Sequence, residues 1–318
     1  MSDDLHLPAR ALPMPSSVSP QARAVMIAAA GRPAFRYPAL DDHEAWRKFV
    51  AETDAIRLAF YQPRCAALDH ERSCYTVAGR EVHVARPRGA PTDRAYLNLH
   101  GGSLVAGGGA LTPIHSDLNA MRSGVETHTI DYRLPPDHPY PAALDDCLAA
   151  YRALLDRFPA NRIVVGGESA GGNLSPAMVL RARDEGLPMP AGVVMISPEV
   201  DLTESGDSFR ANEDVDVMLK RGLMQANLLY AAGHDLADPY LSPLFGDFTK
   251  GFPRSFLQSG TRDLLLSNTV RMHRALRRAG IEAELHVFEA MSHGGFGGAP
   301  EDQELDAEIR AFVASCWD

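Results

Sequence analysis

Ile163-Val164-Val165-Gly166-Gly167-Glu168-Ser169-Ala170-Gly171-Gly172-Asn173 is the stretch on which the reading of this chain turns. Its first three residues are β-branched and apolar, which reads as a buried strand. From Gly171 to Arg183 the pattern becomes helical, so strand and helix meet across Gly167-Glu168-Ser169-Ala170-Gly171. Small residues around a serine allow a strained strand-to-helix turn that lifts the hydroxyl above a sheet, where it can serve as a nucleophile. The helix beginning there points its free amides and the positive end of its dipole at the same place. By itself G-x-S-x-G is also an ordinary Gly-rich turn. The flanking sequence decides between them.

Upstream, Tyr96-Leu97-Asn98-Leu99 reads as a strand that runs into His100-Gly101-Gly102-Ser103. Glycines at such a point let the backbone turn two amides toward a developing oxyanion, although His-Gly-Gly alone describes a flexible loop over a buried histidine. Downstream, Asp263 follows a strand at 255–259, and His293 follows another at 283–288. A histidine just past the carboxyl end of a late strand stands where a general base is needed. The chain order Ser169, Asp263, His293 is the nucleophile, acid, base order of one particular serine-hydrolase architecture.

The remainder of the chain fits a mostly parallel sheet with helices on both faces. Short strands are expected at 75–77, 81–85, 95–99, 127–132, 162–166, 192–197, 255–259 and 283–288, with helices at 145–158, 171–183, 268–279 and 302–316. Alternation of this kind covers both faces of a parallel sheet. Residues 1–63 carry proline punctuation and helical segments at 21–30 and 42–60, and are expected to form N-terminal cap helices on a 64–318 core. Residues 201–250 hold helical material at 220–232 but no strand, which is too long for a simple loop and reads as a second, inserted part of a helical cap.

Bulk properties exclude several classes of function. The 318 residues are 45% hydrophobic and 23% charged, values of a globular chain. A net charge of -10 is wrong for nucleic acid. No run approaches the ~18–20 apolar residues that span a bilayer, so no membrane partner is expected. Met1-Ser2-Asp3-Asp4 is acidic where a secretory leader is basic and then apolar, and the four cysteines lack metal-type or disulfide-framework spacing. The expected compartment is the cytoplasm, with no metal.

Further stretches carry a resemblance. Asp131-Tyr132-Arg133-Leu134-Pro135-Pro136, His138-Pro139 and Pro141-Ala142-Ala143 lie between the two glycine motifs, and Ser197-Pro198, Asp201-Leu202, Asp238-Pro239 and Ser242-Pro243 follow them. From Arg80 onward the chain resembles the hormone-sensitive lipase family of α/β-hydrolase carboxylesterases, of bacterial type. The resemblance implies an α/β-hydrolase fold, roughly eight mostly parallel strands under a helical cap. It implies catalysis by Ser169, Asp263 and His293. The oxyanion hole would be built from Gly101, Gly102, Ser103 and Ala170, with His100 supporting the loop. Two departures bear on substrate range: Ser103 stands where the family usually has a third glycine, and Glu168 replaces the commoner aspartate.

The expected activity is hydrolysis of small-molecule esters of short to medium acyl chain, without a cofactor. A lactonase or amidase would use the same groups, and a non-catalytic binder would use the same fold. Both a monomer and a homodimer paired through the strand at 283–288 fit the sequence.

Overall fold

The computed structural model describes residues 11–317, so the first part of the 1–63 segment, with its acidic start, lies outside the described residues. The strands are β1 (His70–Val77), β2 (Arg80–Pro87), β3 (Ala95–Leu99), β4 (Thr127–Ile130), β5 (Ile163–Glu168), β6 (Gly192–Ile196), β7 (Ser255–Gly260) and β8 (Ala283–Phe288). They form one eight-stranded sheet in the order β1-β2-β4-β3-β5-β6-β7-β8. β2 runs antiparallel to β1 and β4, and the remaining pairs are parallel. This is the α/β-hydrolase arrangement. Every residue of β3, β4, β6 and β7 is buried. Strands covered on both faces read as continuous apolar runs, which is why most of them show in the sequence.

Nine helices are found among the described residues: α1 (Pro20–Ala30), α2 (His43–Ala66), α3 (Thr112–Ser123), α4 (Ala142–Leu155), α5 (Ala170–Asp184), α6 (Ser208–Ala211), α7 (Met224–Ala231), α8 (Leu266–Arg278) and α9 (Pro300–Ser315). Alternate strand residues divide the core. Leu97, Leu99, Val165, Val193, Met195 and Leu257 pack with residues of α4, α5 and α8. Tyr96, Val164, Val194, Ile196 and Phe256 face Leu305, Ile309, Phe312 and Val313 of α9. No helix among the described residues is long and apolar enough to cross a membrane.

Three elements differ from the sequence reading. α2 continues through Pro63 to Ala66, so the 63/64 boundary falls inside a helix. Proline removes one helical N–H but keeps a helical φ, and the buried Cys65 anchors the last turn. β1 starts at His70 because its charged residues are paired, with His70 and Arg72 both on Asp117 of α3 at 3.0 Å. α3 itself buries Thr112, Ser116, Asp117 and Asn119, a polar face with no apolar stripe to announce it.

Two segments pack over the carboxyl end of the sheet. α2 places Trp46 against Val105, Ala106, Ala226 and Leu229, linking the N-terminal region to α7 of the 201–250 insertion. α1 places Ala22 and Met26 against Met291 and Phe296, while the backbone N–H and hydroxyl of Ser19 donate to Glu301 at 2.6 and 2.8 Å. β8 is an edge strand, with Val287 among its exposed residues.

α5 lies close against β3. A Cβ on Gly171 would lie 1.8 Å from the Leu99 carbonyl oxygen and 3.0 Å from that of His100. In an ordinary helix Gly→Ala stabilises by about 0.5–1 kcal/mol. Here the sign should reverse: Gly171→Ala is expected to lose about 1–3 kcal/mol through overpacking, measured as a lower denaturant midpoint. An unchanged or raised midpoint would refute this tight seating.

Candidate active site

Ser169 sits between the last residue of β5 and the first of α5, at φ 59° and ψ −118°. A non-glycine residue held at positive φ costs roughly 1–3 kcal/mol and persists only where its surroundings enforce it. They do so here. The Ser169 amide donates to the Ile196 carbonyl at 2.9 Å, and its carbonyl accepts from Asn173 at 3.1 Å and Glu199 at 3.2 Å. A Cβ on Gly167 would stand 2.2 Å from the Leu99 oxygen, so only glycine fits before the turn. Ser169 itself is 8% exposed, nearly covered.

His293 lies on the loop after β8 and brings Nε2 to 3.0 Å from the Ser169 Oγ. Its Nδ1 is 3.4 Å from Oδ1 of Asp263. That contact is an ion-pair distance rather than a tight hydrogen bond, and such contacts often shorten only when substrate binds. Asp263 follows β7 and is fully buried. Its Oδ2 accepts from the Ser259 hydroxyl and its Oδ1 from the Leu265 amide, both at 2.8 Å. With the proton on Nδ1 facing Asp263, Nε2 is the acceptor for the serine hydroxyl.

The charges are set by competition. Burial alone would push His293 down, but Asp263, and then Asp216 and Glu168, outweigh it and raise the imidazole above its ordinary 6.5. Burial would raise Asp263, yet His293, Ser197 and the Leu265 amide hold it below its ordinary 3.8.

The loop after β3 lies against the elbow, where a Cβ on Gly101 would meet the Glu168 carbonyl oxygen at 2.9 Å. Gly102, at φ 140°, has even less room, since a Cβ would lie 1.9 Å from the Ala106 oxygen. Ser103 and Leu104 follow at φ 56° and 61°. The turn is closed by the Val105 and Ala106 amides donating to the Gly102 carbonyl at 3.1 and 2.9 Å, which leaves the Gly102 and Ser103 amides out of that pattern. Ala170 opens α5 and so contributes a helix-start amide with no intrahelical acceptor.

His100 lies under this loop. It is stacked on Tyr132 at 3.9 Å and on His115 at 5.2 Å. Burial pushes it down to about 4, so it is neutral, with Nδ1 2.9 Å from the Gly101 carbonyl oxygen. The Tyr132 hydroxyl donates to the His100 carbonyl at 2.7 Å. From α2, both carboxylate oxygens of Asp54 accept the Gly107 amide at 3.1 Å.

Comparison with known proteins places the fold. Residues 96–296 match the family model described as the alpha/beta hydrolase fold. A protein of Acinetobacter venetianus named esterase is 31% identical and covers 76% of this chain and 83% of its own length. The crystal structure of an esterase, E25, superposes with a TM-score of 0.90 at 33% identity over 99% of both chains. An esterase described as from the bacterial hormone-sensitive lipase family gives a TM-score of 0.80 at 29% identity, over 94% of this chain and 99% of that one. The chain belongs to the hormone-sensitive lipase family of α/β hydrolases.

Both departures from the usual family pattern have a structural setting. Ser103 faces Tyr37 from the N-terminal segment, whose phenol is pushed up to about 12 by burial, with Ser103 opposing the rise. Glu168 reaches Arg122 of α3 at 3.3 Å, and Arg122 also binds Asp306 of α9 at 2.9 Å. The longer carboxylate thus ties the elbow to two helices.

Sequence reading missed two buried carboxyls near Ser169. Glu199 donates its amide to the Ser169 carbonyl, and burial pushes its carboxyl up to about 8, with Asn227 opposing the rise. Asp216, from the insertion, is fully buried beside the loops of Asp263 and His293. Neither stands in a motif that announces it; each follows a Pro or Val in what reads as loop. Phe296 packs with α1, and Leu219 with Leu264 and Leu265. Among the described residues one trio of metal-type donors comes together, Cys74, Glu81 and His83 on the exposed β1–β2 hairpin, at the far side of the sheet from β5.

A base must be neutral to accept a proton, so a raised His293 pKa moves the acid limb of the rate profile upward. The limb of kcat/KM on a neutral ester is expected above 6.5, with activity increasing as pH rises through it, while the depressed Asp263 stays ionised. A limb at or below 6.5 would show that the surrounding carboxylates do not act on the imidazole.

Proposed function

We propose that this protein is a serine carboxylesterase that hydrolyses short- to medium-chain esters through an acyl-enzyme. The observation that carries the reading is the line Ser169 Oγ, His293 Nε2, His293 Nδ1, Asp263 Oδ1, with separations of 3.0 and 3.4 Å at its two polar contacts. His293 takes the Ser169 proton as Oγ attacks the ester carbonyl, and Asp263 stabilises the imidazolium. The tetrahedral oxyanion is received by the amides of Gly102, Ser103 and Ala170, with Gly101 setting the loop against the elbow. Loss of one such donor typically costs about 10²- to 10³-fold. His293 then protonates the leaving alcohol, and a water hydrolyses the acyl-enzyme by the same route.

Support for a short acyl chain comes from the roof. Ser169 is almost covered, and Tyr37 packs in both aromatic and aliphatic clusters made by the N-terminal helices and the insertion. A pocket closed in this way favours ligands of limited volume. Four free cysteines fit a reducing compartment, and we place the protein in the cytoplasm.

Wild type and Ser169→Ala compared on p-nitrophenyl butyrate test the assignment. The variant is expected to lose roughly 10⁶-fold in kcat, as serine removal does in other triads. A folded wild type inert on open-chain esters but active on matched lactones or amides would replace the leaving-group class. Inertness on all three would return the fold to the role of a binder.

A further inference from the structure

Asp216 belongs to the insertion, between α6 and α7, yet its side chain is 0% exposed. Four backbone amides from three separate segments converge on its carboxylate. Oδ1 accepts from Met218 and Leu219, both at 2.9 Å. Oδ2 accepts from Leu264 at 2.9 Å and from His293 at 3.1 Å. The first pair is local and would serve any tight turn. The second pair is not local. One amide belongs to the residue directly after Asp263, the other to His293 itself.

One oxygen atom thus fixes the acid loop and the base loop relative to each other, from a segment that is neither. The attachment is reinforced on both sides. The Val217 amide donates to the Ser292 hydroxyl at 3.4 Å, and Leu219 packs with Phe209, Leu223, Leu264 and Leu265. The 3.4 Å contact between His293 and Asp263 is long, so small shifts of either loop decide whether it closes.

We propose that Asp216 is a positioning residue that aligns His293 with Asp263, so that the catalytic pair is assembled only when the insertion is seated. The proposal rests on the ester-hydrolase reading above. Asp216 holds the backbone of both loops and, as an anion, favours the imidazolium that forms during the reaction. The groups that face His293 are Asp263, Glu168, Glu199 and Asp216 itself. Neutralising only the last leaves the other three in place.

Asp216→Asn keeps the shape but replaces an acceptor oxygen by a donor that faces amides, and removes the charge. It is expected to lower kcat on p-nitrophenyl butyrate by about 10- to 100-fold, the scale of a small misplacement of catalytic groups. KM should change little, and the acid limb should move to lower pH because an anion beside the imidazolium is gone. Asp216→Glu retains the charge and both acceptors on a longer arm, so the limb should stay in place while kcat still falls. Ser169→Ala and the wild type are run in the same assay, with the folded fraction read by circular dichroism. Should Ser169→Ala retain full activity, the ester-hydrolase reading itself fails. A dead Ser169→Ala beside a folded Asp216→Asn with wild-type kcat and limb overturns the role of Asp216 alone. If Asp216→Asn does not fold, Asp216→Glu decides: wild-type kcat in that variant overturns the proposal, and reduced kcat with an unmoved limb sustains it.

Discussion

Three backbones meet at the carboxyl end of β3 and β5 with no room for a side chain between them. A Cβ on Gly171 or on Gly167 would penetrate the Leu99 carbonyl oxygen, and one on Gly101 would crowd that of Glu168. This contact sets every later feature of the site. It places the start of α5 beside the loop after β3, bringing together two elements remote in sequence. It also forces Ser169 into its positive φ, because β5 has to turn into α5 within a single residue. The strain is held by the Ser169 amide donating to Ile196 and by the amides of Asn173 and Glu199 donating to the Ser169 carbonyl. Catalytic geometry here is a by-product of backbone packing, and glycine is the residue type that permits it.

Around that point the chain collects carboxyls that solvent would otherwise separate. Asp263, Asp216 and Glu199 are all fully buried. Each is managed differently. Asp263 is kept ionised by His293 and by donors from Ser197 and Leu265. Burial and then Asp263 push Asp216 up, and His293 together with backbone amides pulls against that rise. Glu199 has the least compensation and is the one driven up to about 8. The single imidazole beside them experiences the sum, which is why burial does not lower its pKa as it does for His100. A site with one base and several acids stabilises the protonated base, which is the charge state reached in the transition state of acyl transfer.

The fold was legible where strands are buried on both faces. Runs such as Ile163-Val164-Val165 carry their own signature, and the elbow, the loop at His100 and the positions of Asp263 and His293 each follow one of them. Their chain order then distinguished this architecture from others with the same chemistry. What was hidden is equally physical. α3 buries Ser116, Asp117 and Asn119 where a helix normally buries apolar residues, and β1 hides its start in charges that Asp117 and β2 satisfy. Asp216 has no local signature because its partners lie at Leu264 and His293. Long-range polar contacts of this kind leave no periodicity in a sequence.

Tyr37 brings the two roofing segments together. It stacks on Trp46 at 5.5 Å, meets Phe49 at 5.4 Å, and packs against the cluster of Leu219, Leu264 and Leu265 as well. Its hydroxyl faces Ser103, at the loop that carries the candidate oxyanion amides. Asp54, one helical stretch away on α2, holds Gly107 at the other end of that loop. The N-terminal segment thus holds the loop of the candidate oxyanion amides through Asp54, while Asp216 of the insertion accepts the amides of Leu264 and His293. The two covering elements touch at Tyr37 and, beside it, where Trp46 meets Ala226 and Leu229.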